Sequence, residues 1–179
     1  LAVRPRADDR LVLACDRPDL PTGPENLVVK AAERLRLRAQ RPELGADLTL
    51  WKRIPAQAGL GGGSSDAAAA LVALNRVWNL NLSVAALALV AADVGSDVAF
   101  FLSLPAGWCT GRGEVVAPEP PGGGFHVVLV LPGVGLSTPA VFRDLVVPSD
   151  PRSGAAVRAA FRAGDATALG AALFNRLQE

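Results

Sequence analysis

The stretch Pro55-Ala56-Gln57-Ala58-Gly59-Leu60-Gly61-Gly62-Gly63-Ser64-Ser65-Asp66, followed by the alanines Ala67 to Ala70, decides how this 179-residue chain folds. Four of the five residues from 59 to 63 are glycine. Glycine gives up more backbone freedom on folding than any other residue, so such a run needs a reason. The simplest is that the backbone comes very close to something. A helix starting at Ser64 or Ser65 would aim its free N–H groups, and the positive end of its dipole, at that something. This arrangement suits a phosphate.

Upstream, Asp47 to Arg53 alternates, with Leu48 and Leu50 on one face and Asp47, Thr49 and Trp51 on the other, which predicts a strand. Downstream, Ala67, Leu71, Leu74 and Trp78 share one face of a helix predicted over 64–78, with Ser64 or Ser65 as its N-cap and Asp66 in its first turn. A Walker A loop needs a lysine after its glycines, and none follows here. A dinucleotide fingerprint needs GxGxxG within a βαβ unit, whereas Gly59, Gly61 and Ser64 give GxGxxS followed by helices. A linker would not sit between an alternating strand and a capped helix.

Working outward, residues 1–15 read as a β-hairpin about Asp8-Asp9-Arg10. A helix over 25–40 carries Leu27, Ala31 and Leu35 as its buried stripe, with Arg34, Arg36 and Arg38 off it. Ser83 caps a helix over 84–94 that is apolar nearly all round and so predicted to be buried. Residues 108–116 read as a hairpin turning at Gly111–Gly113. Pro118 to Gly124 is the candidate domain boundary. Val127 to Leu131 reads as an apolar strand, and helices are predicted over 154–163 and 167–177. Hairpins mixed with helices, without strict βαβ alternation, give an α+β fold class.

Half of the residues are hydrophobic and the net charge is +1, so bulk charge offers nothing to nucleic acid or to an anionic membrane surface. The apolar runs fall short of the ~18 residues that a membrane span needs. Cys15 and Cys109 form no CxxC pair and read as thiols of a reducing compartment, so a cytoplasmic location is expected. His126 opens an apolar run with no cysteine or carboxylate cluster around it and is read as non-catalytic.

The run from Pro55 to Ser65, PAQAGLGGGSS, resembles the ATP-binding motif of the GHMP kinases, whose common core is PxxxGLGSS. With Asp66 and the alanines it is most similar to one branch, the 4-diphosphocytidyl-2-C-methylerythritol kinases of the non-mevalonate isoprenoid route. Glu25-Asn26-Leu27-Val28 to Ala31, Gly95-Ser96-Asp97-Val98 with Phe100-Phe101, and Ser137-Thr138-Pro139 to Val141-Phe142 resemble further segments of that branch, in the same order. The resemblance implies the two-domain GHMP architecture, with residues 1–117 in the N-terminal, ATP-binding domain and 118–179 beginning the C-terminal one. It also implies a phosphotransferase acting on the 2-hydroxyl of the diphosphocytidyl alcohol.

In that reading the residues Pro55, Ala56, Gln57, Ala58, Gly59, Leu60, Gly61, Gly62, Gly63, Ser64 and Ser65 clamp the phosphates of ATP, accompanied by magnesium. Asp97 is the general base; as a residue type in this setting it serves equally as a turn aspartate. Asn26 and Lys52 fall on the adenine side, with a helix cap and an exposed strand lysine as their plain alternatives. Pro139 and Phe142 lie near the cytidine, with core packing as theirs. The partner is a small molecule. A GHMP kinase for a sugar, homoserine or mevalonate-type alcohol, or a non-catalytic nucleotide-binding relative, are the competing readings.

The sequence contains no methionine and no tyrosine. The branch carries a catalytic lysine and a tyrosine–histidine pair in its N-terminal segment, and a C-terminal glycine-rich motif, for which no counterpart stands here. Ala99 replaces the proline usual after GSDV. The expectation is a piece of a longer kinase, inactive when isolated.

Overall fold

A computed structural model describes residues 1–56, 58–103, 105–130, 138–143, 145–146, 149–150 and 152–178. It divides into two units, Leu1–Pro118 and Glu119–Glu179. Among the described residues, no helix is long and apolar enough to cross a membrane.

The first unit is built on a three-stranded sheet. Strands β1 (Ala2–Arg6), β2 (Leu11–Cys15) and β3 (Gly45–Leu50) lie in the order β1-β3-β2. β1 pairs with β3 antiparallel and β2 pairs with β3 parallel. The hairpin expected over residues 1–15 is therefore not formed, because both strands take β3 as their neighbour. Alternation reveals which residues face the core but says nothing of which strand lies alongside. Helix α1 (Leu27–Arg38) makes the crossover that a parallel β2–β3 pair requires. On β3, Ala46, Leu48 and Leu50 are buried, while the intervening residues face the other way.

One face of the sheet is covered by α1 and α2 (Gly62–Val77), and α3 (Val84–Val94) packs against those two helices. Ala31, Ala32 and Leu35 of α1 and Ala67, Ala70, Leu71 and Leu74 of α2 have no exposed surface. Each of the leucines gains roughly 2 kcal/mol from being out of water. Ser83 caps α3 as its sequence indicates, its Oγ accepting the Ala86 N–H at 3.2 Å. The expectation of a helix buried all round is corrected: Leu87, Val90, Ala91 and Val94 are buried, but Val84 and Leu89 face solvent. A single 3-10 turn over Ala99–Leu102 leads to the hairpin β4 (Gly107–Thr110) and β5 (Val115–Pro118). That hairpin turns through Gly111 and Gly113, where the sequence puts it.

The second unit contains α4 (Thr138–Arg143), α5 (Ala155–Ala163) and α6 (Ala166–Ala172). Its organising contact is the Glu119 carboxylate, which accepts hydrogen bonds from Arg158 (2.6 and 3.0 Å) and from Arg162. The Arg162 and Arg158 guanidiniums hold this carboxyl below its ordinary value. Phe125 stacks on Phe161 with ring centroids 5.3 Å apart. Two expectations are corrected. Of the strand expected over Val127 to Leu131, residues 127–130 form none and all four lie open to solvent, while Leu131 lies outside the described residues. The last helix ends at Ala172, since Leu173 is extended and Asn175 Oδ1 accepts the Leu177 N–H to start a separate 3-10 turn.

Gly45 is a point of close backbone approach. A Cβ there would lie 2.0 Å from the Asp8 carbonyl oxygen and 2.7 Å from that of Arg10. The Gly45 carbonyl also accepts the buried Trp78 indole N–H at 3.1 Å. No rotamer relieves a clash with backbone, so Gly45→Ala is expected to cost about 3 kcal/mol, read as a lower midpoint in thermal or urea unfolding; an unchanged midpoint would contradict the tight β3 entry.

Candidate functional site

The glycine run enters α2 without a side-chain cap. Gly61 is the N-cap residue, in the left-handed region at φ 64°, and the helix already begins at Gly62. Ser64 and Ser65 therefore lie within the first turn rather than capping it, a correction to the sequence reading. Ser65 N–H is bonded to the Gly61 carbonyl at 2.8 Å, and its hydroxyl donates to the Gly62 carbonyl at 2.9 Å. The N–H groups ahead of Ser65 lack a preceding turn to accept them and project from the helix end. Neighbouring side chains press on this turn. A Cβ at Gly61 would lie 2.7 Å from Phe101 Cζ, and one at Gly62 would lie 2.8 Å from Ile54 Cγ2. The space that side chains would fill is left to backbone.

Asp97 reaches the same place from the end of α3. Lys30 of α1 donates its ammonium to the Val94 carbonyl at 2.7 Å, which fixes the helix end before the Gly95-Ser96-Asp97 turn. Asp97 Oδ1 accepts the Ser96 hydroxyl at 3.1 Å, and it stands where a Cβ on Gly113 would come within 3.1 Å. The carboxylate is exposed. A cleft of about 280 Å³ brings Gly59, Leu60 and Gly61 together with Asp97, Phe100, Phe101, Cys109 and Gly113. One wall is backbone of the glycine run, an arrangement that suits an anion. The opposite wall carries a carboxylate, which would repel a phosphate brought into direct contact. The pair suits an anionic donor and a hydroxyl acceptor lying between them.

The other predicted residues separate. Pro55 and Ala56 are exposed and Ala58 is partly buried; Gln57 lies outside the described residues. Asn26 is the N-cap of α1: its Oδ1 accepts the Val28 N–H at 3.0 Å and its Nδ2 donates to the Pro21 carbonyl at 2.7 Å. The next residue, Leu27, touches the glycine run, its Cδ1 lying 3.3 Å from where a Gly63 Cβ would be. Lys52 is no exposed strand lysine. Its side chain is 5% exposed, and its ammonium lies 2.5 Å from Asp66 Oδ2 and 3.1 Å from a Gly62 Cβ position. Pro139 and Phe142 belong to α4 of the second unit, where Phe142 is 56% exposed and so is not core. Among the described residues, no three His, Cys, Asp or Glu side chains gather to hold a metal ion.

Sequence reasoning missed Cys109 and Phe101 as parts of this cleft. Phe101 was visible only as the tail of the GSDV motif. Cys109 enters the cleft through the β4–β5 hairpin, and an isolated cysteine leaves no spacing to read.

Residues 26–103 match the family model described as GHMP kinases N terminal domain. The chain is 49% identical over 139 residues to a 4-diphosphocytidyl-2-C-methyl-D-erythritol kinase of Synechococcus sp. (strain CC9902), covering 76% of this chain and 45% of that protein. It is 46% identical over 184 residues to the enzyme of the same name from Pelotomaculum thermopropionicum, covering 99% of this chain and 62% of that one. The chain thus spans about half to three-fifths of the length of these curated relatives. A crystal structure of 4-(cytidine 5'-diphospho)-2C-methyl-D-erythritol kinase superposes with a TM-score of 0.60 at 32% identity, covering 92% of this chain and 58% of that one.

Although Cys109 is exposed, partial desolvation at the cleft wall, and secondarily the Asp97 charge, push its thiol above its ordinary value. Alkylation consumes the thiolate, so its rate by iodoacetamide, followed at the Cys109 peptide by mass spectrometry, should be half-maximal at a higher pH than for a free cysteine. Asp97→Asn should move that profile toward lower pH. An identical profile in the variant would mean that thiol and carboxylate do not face one cleft.

Proposed function

We propose, from the match of residues 26–103 to the GHMP kinase N-terminal domain, that this chain is the nucleotide-binding part of an ATP-dependent kinase for 4-diphosphocytidyl-2-C-methyl-D-erythritol. The observation that carries the proposal is the cleft in which the glycine run and Asp97 face each other. The names of the relatives at 46–49% identity support the choice of acceptor.

Phosphoryl transfer asks little covalent chemistry of a protein; it asks for clamped phosphates and an aligned hydroxyl. The backbone from Gly59 to Ser65 would hold the phosphates against the first turn of α2. The hydroxyls of Ser64 and Ser65 would stand beside them, where magnesium would accompany the nucleotide. Asp97 would accept the proton of the acceptor's 2-hydroxyl as that oxygen forms its bond to the γ-phosphorus. The bond from that phosphorus to the β–γ bridging oxygen breaks, and ADP leaves. Pro139 and Phe142 would meet the cytidine, where a ring open to solvent is free to stack on a base. Asn26 and Lys52 would serve the nucleotide side through the elements they hold in place. Such an enzyme would work in the cytoplasm on soluble metabolites.

The test is an ADP-release assay on the full-length protein with the diphosphocytidyl alcohol, and with sugar, homoserine and mevalonate-type alcohols for comparison. Asp97→Asn should lower kcat by about a hundredfold or more while leaving the affinity for ATP within about twofold. Turnover that survives Asp97→Asn would remove the base. Turnover on another alcohol alone would remove the acceptor.

A further inference from the structure

The ion pair between Lys52 and Asp66 joins two residues that are 14 apart in sequence and bracket the whole glycine run. Lys52 stands just beyond the end of β3. Its backbone N–H is bonded to Asp16 Oδ1 at 2.7 Å, and the Asp16 N–H to the Leu50 carbonyl at 3.2 Å, so that side of the loop is tied to the sheet. Asp66 is on α2, followed by the fully buried Ala67 and Ala70. The pair therefore closes the segment between sheet and helix into a ring. The loop inside that ring contains Gly59 and Gly61, both at positive φ, and has few side chains to hold its shape.

The location of the charge matters as much as the tie. The Lys52 ammonium lies beneath the first turn of α2, close to Gly62. A cation at a helix N-terminus opposes the dipole. Asp66 makes the position tolerable while leaving a positive charge under the backbone that would meet phosphate. Lys52 is nearly sealed from water and Asp66 is only partly exposed, so bulk solvent does little to weaken their attraction.

We propose that Asp66 is a positioning residue for nucleotide binding: acting through Lys52, it fixes both ends of the glycine loop and keeps its first helical turn set for the donor phosphates. The proposal rests on the reading of the cleft as a nucleotide site.

The experiment measures the affinity of the full-length protein for ATP by calorimetry, together with the KM for ATP, kcat and thermal midpoint. Asp66→Asn should weaken ATP binding and raise its KM about tenfold, with kcat changed far less. Lys52→Met should do the same, and Lys52→Met/Asp66→Asn should do no more than either alone, because one tie is lost in each case. A purely structural role would lower the folded fraction, and with it kcat, while leaving KM where it was; that result overturns the proposal, as do additive effects. If Asp66→Asn does not fold, Lys52→Met/Asp66→Leu replaces the pair with apolar groups of similar size. ATP affinity equal to wild type in that protein also overturns the proposal. Absence of ATP binding by the wild-type protein overturns the nucleotide reading itself, a distinct failure.

Discussion

Two helices meeting through alanine hold the first unit together. Ala31 and Ala32 on α1 and Ala67, Ala68 and Ala70 on α2 are buried almost completely. Side chains this small let two backbones approach, and Leu35, Leu71 and Leu74 fill the space around them. The contact begins at the helix starts, where Leu27 lies against Gly63. Helix α1 in turn grips α3 through Lys30 and the Val94 carbonyl. One helical layer thus sets the start of α2 and the turn that carries Asp97. Loosening the alanine contact would disturb the two walls of the cleft together.

The local parts of this arrangement were legible in the sequence. Ser83 announces α3, Gly111 and Gly113 announce the hairpin turn, and the glycine run announces a loop entering a helix. Each is a signal within a few residues, where backbone conformation and the first hydrogen bonds are decided. The strand neighbours were not legible. Leu1 to Cys15 has the alternation of two strands and a charged turn between them, yet β3 separates the two. That order follows from α1, which has to lie over the sheet and so carries the chain back as a parallel crossover. The apolar run at 127–130 misled for a related reason: its composition suits a strand, but a strand also needs a neighbour to accept its hydrogen bonds.

At the site, Asp97 and the glycines could be read because their chemistry depends on residue type in a short motif. The helix cap could not. Two serines beside a helix start invite the reading of a side-chain cap, whereas left-handed Gly61 lets the helix open earlier with bare N–H groups. The role of Lys52 was hidden for the opposite reason. Nothing in a strand-end lysine announces an aspartate 14 residues on, and only the fold puts the two 2.5 Å apart. The motif carries the chemistry, and the supporting contacts emerge from tertiary structure.

Gly59 and Gly61 have nearly the same backbone angle and answer to different demands. Around Gly61 the ring of Phe101 leaves no room for a methyl group; around Gly59 no described residue lies within 4 Å of one. Only conformation restricts the first of these glycines, and asparagine is the side chain most at ease in that conformation. Natural variation should therefore be unequal across a run that looks uniform when written out. Position 59 is open to drift toward asparagine, whereas position 61 changes only if the residue at 101 becomes smaller as well. The loop thus has one position free to diverge alone and one tied to the history of a residue 40 places away.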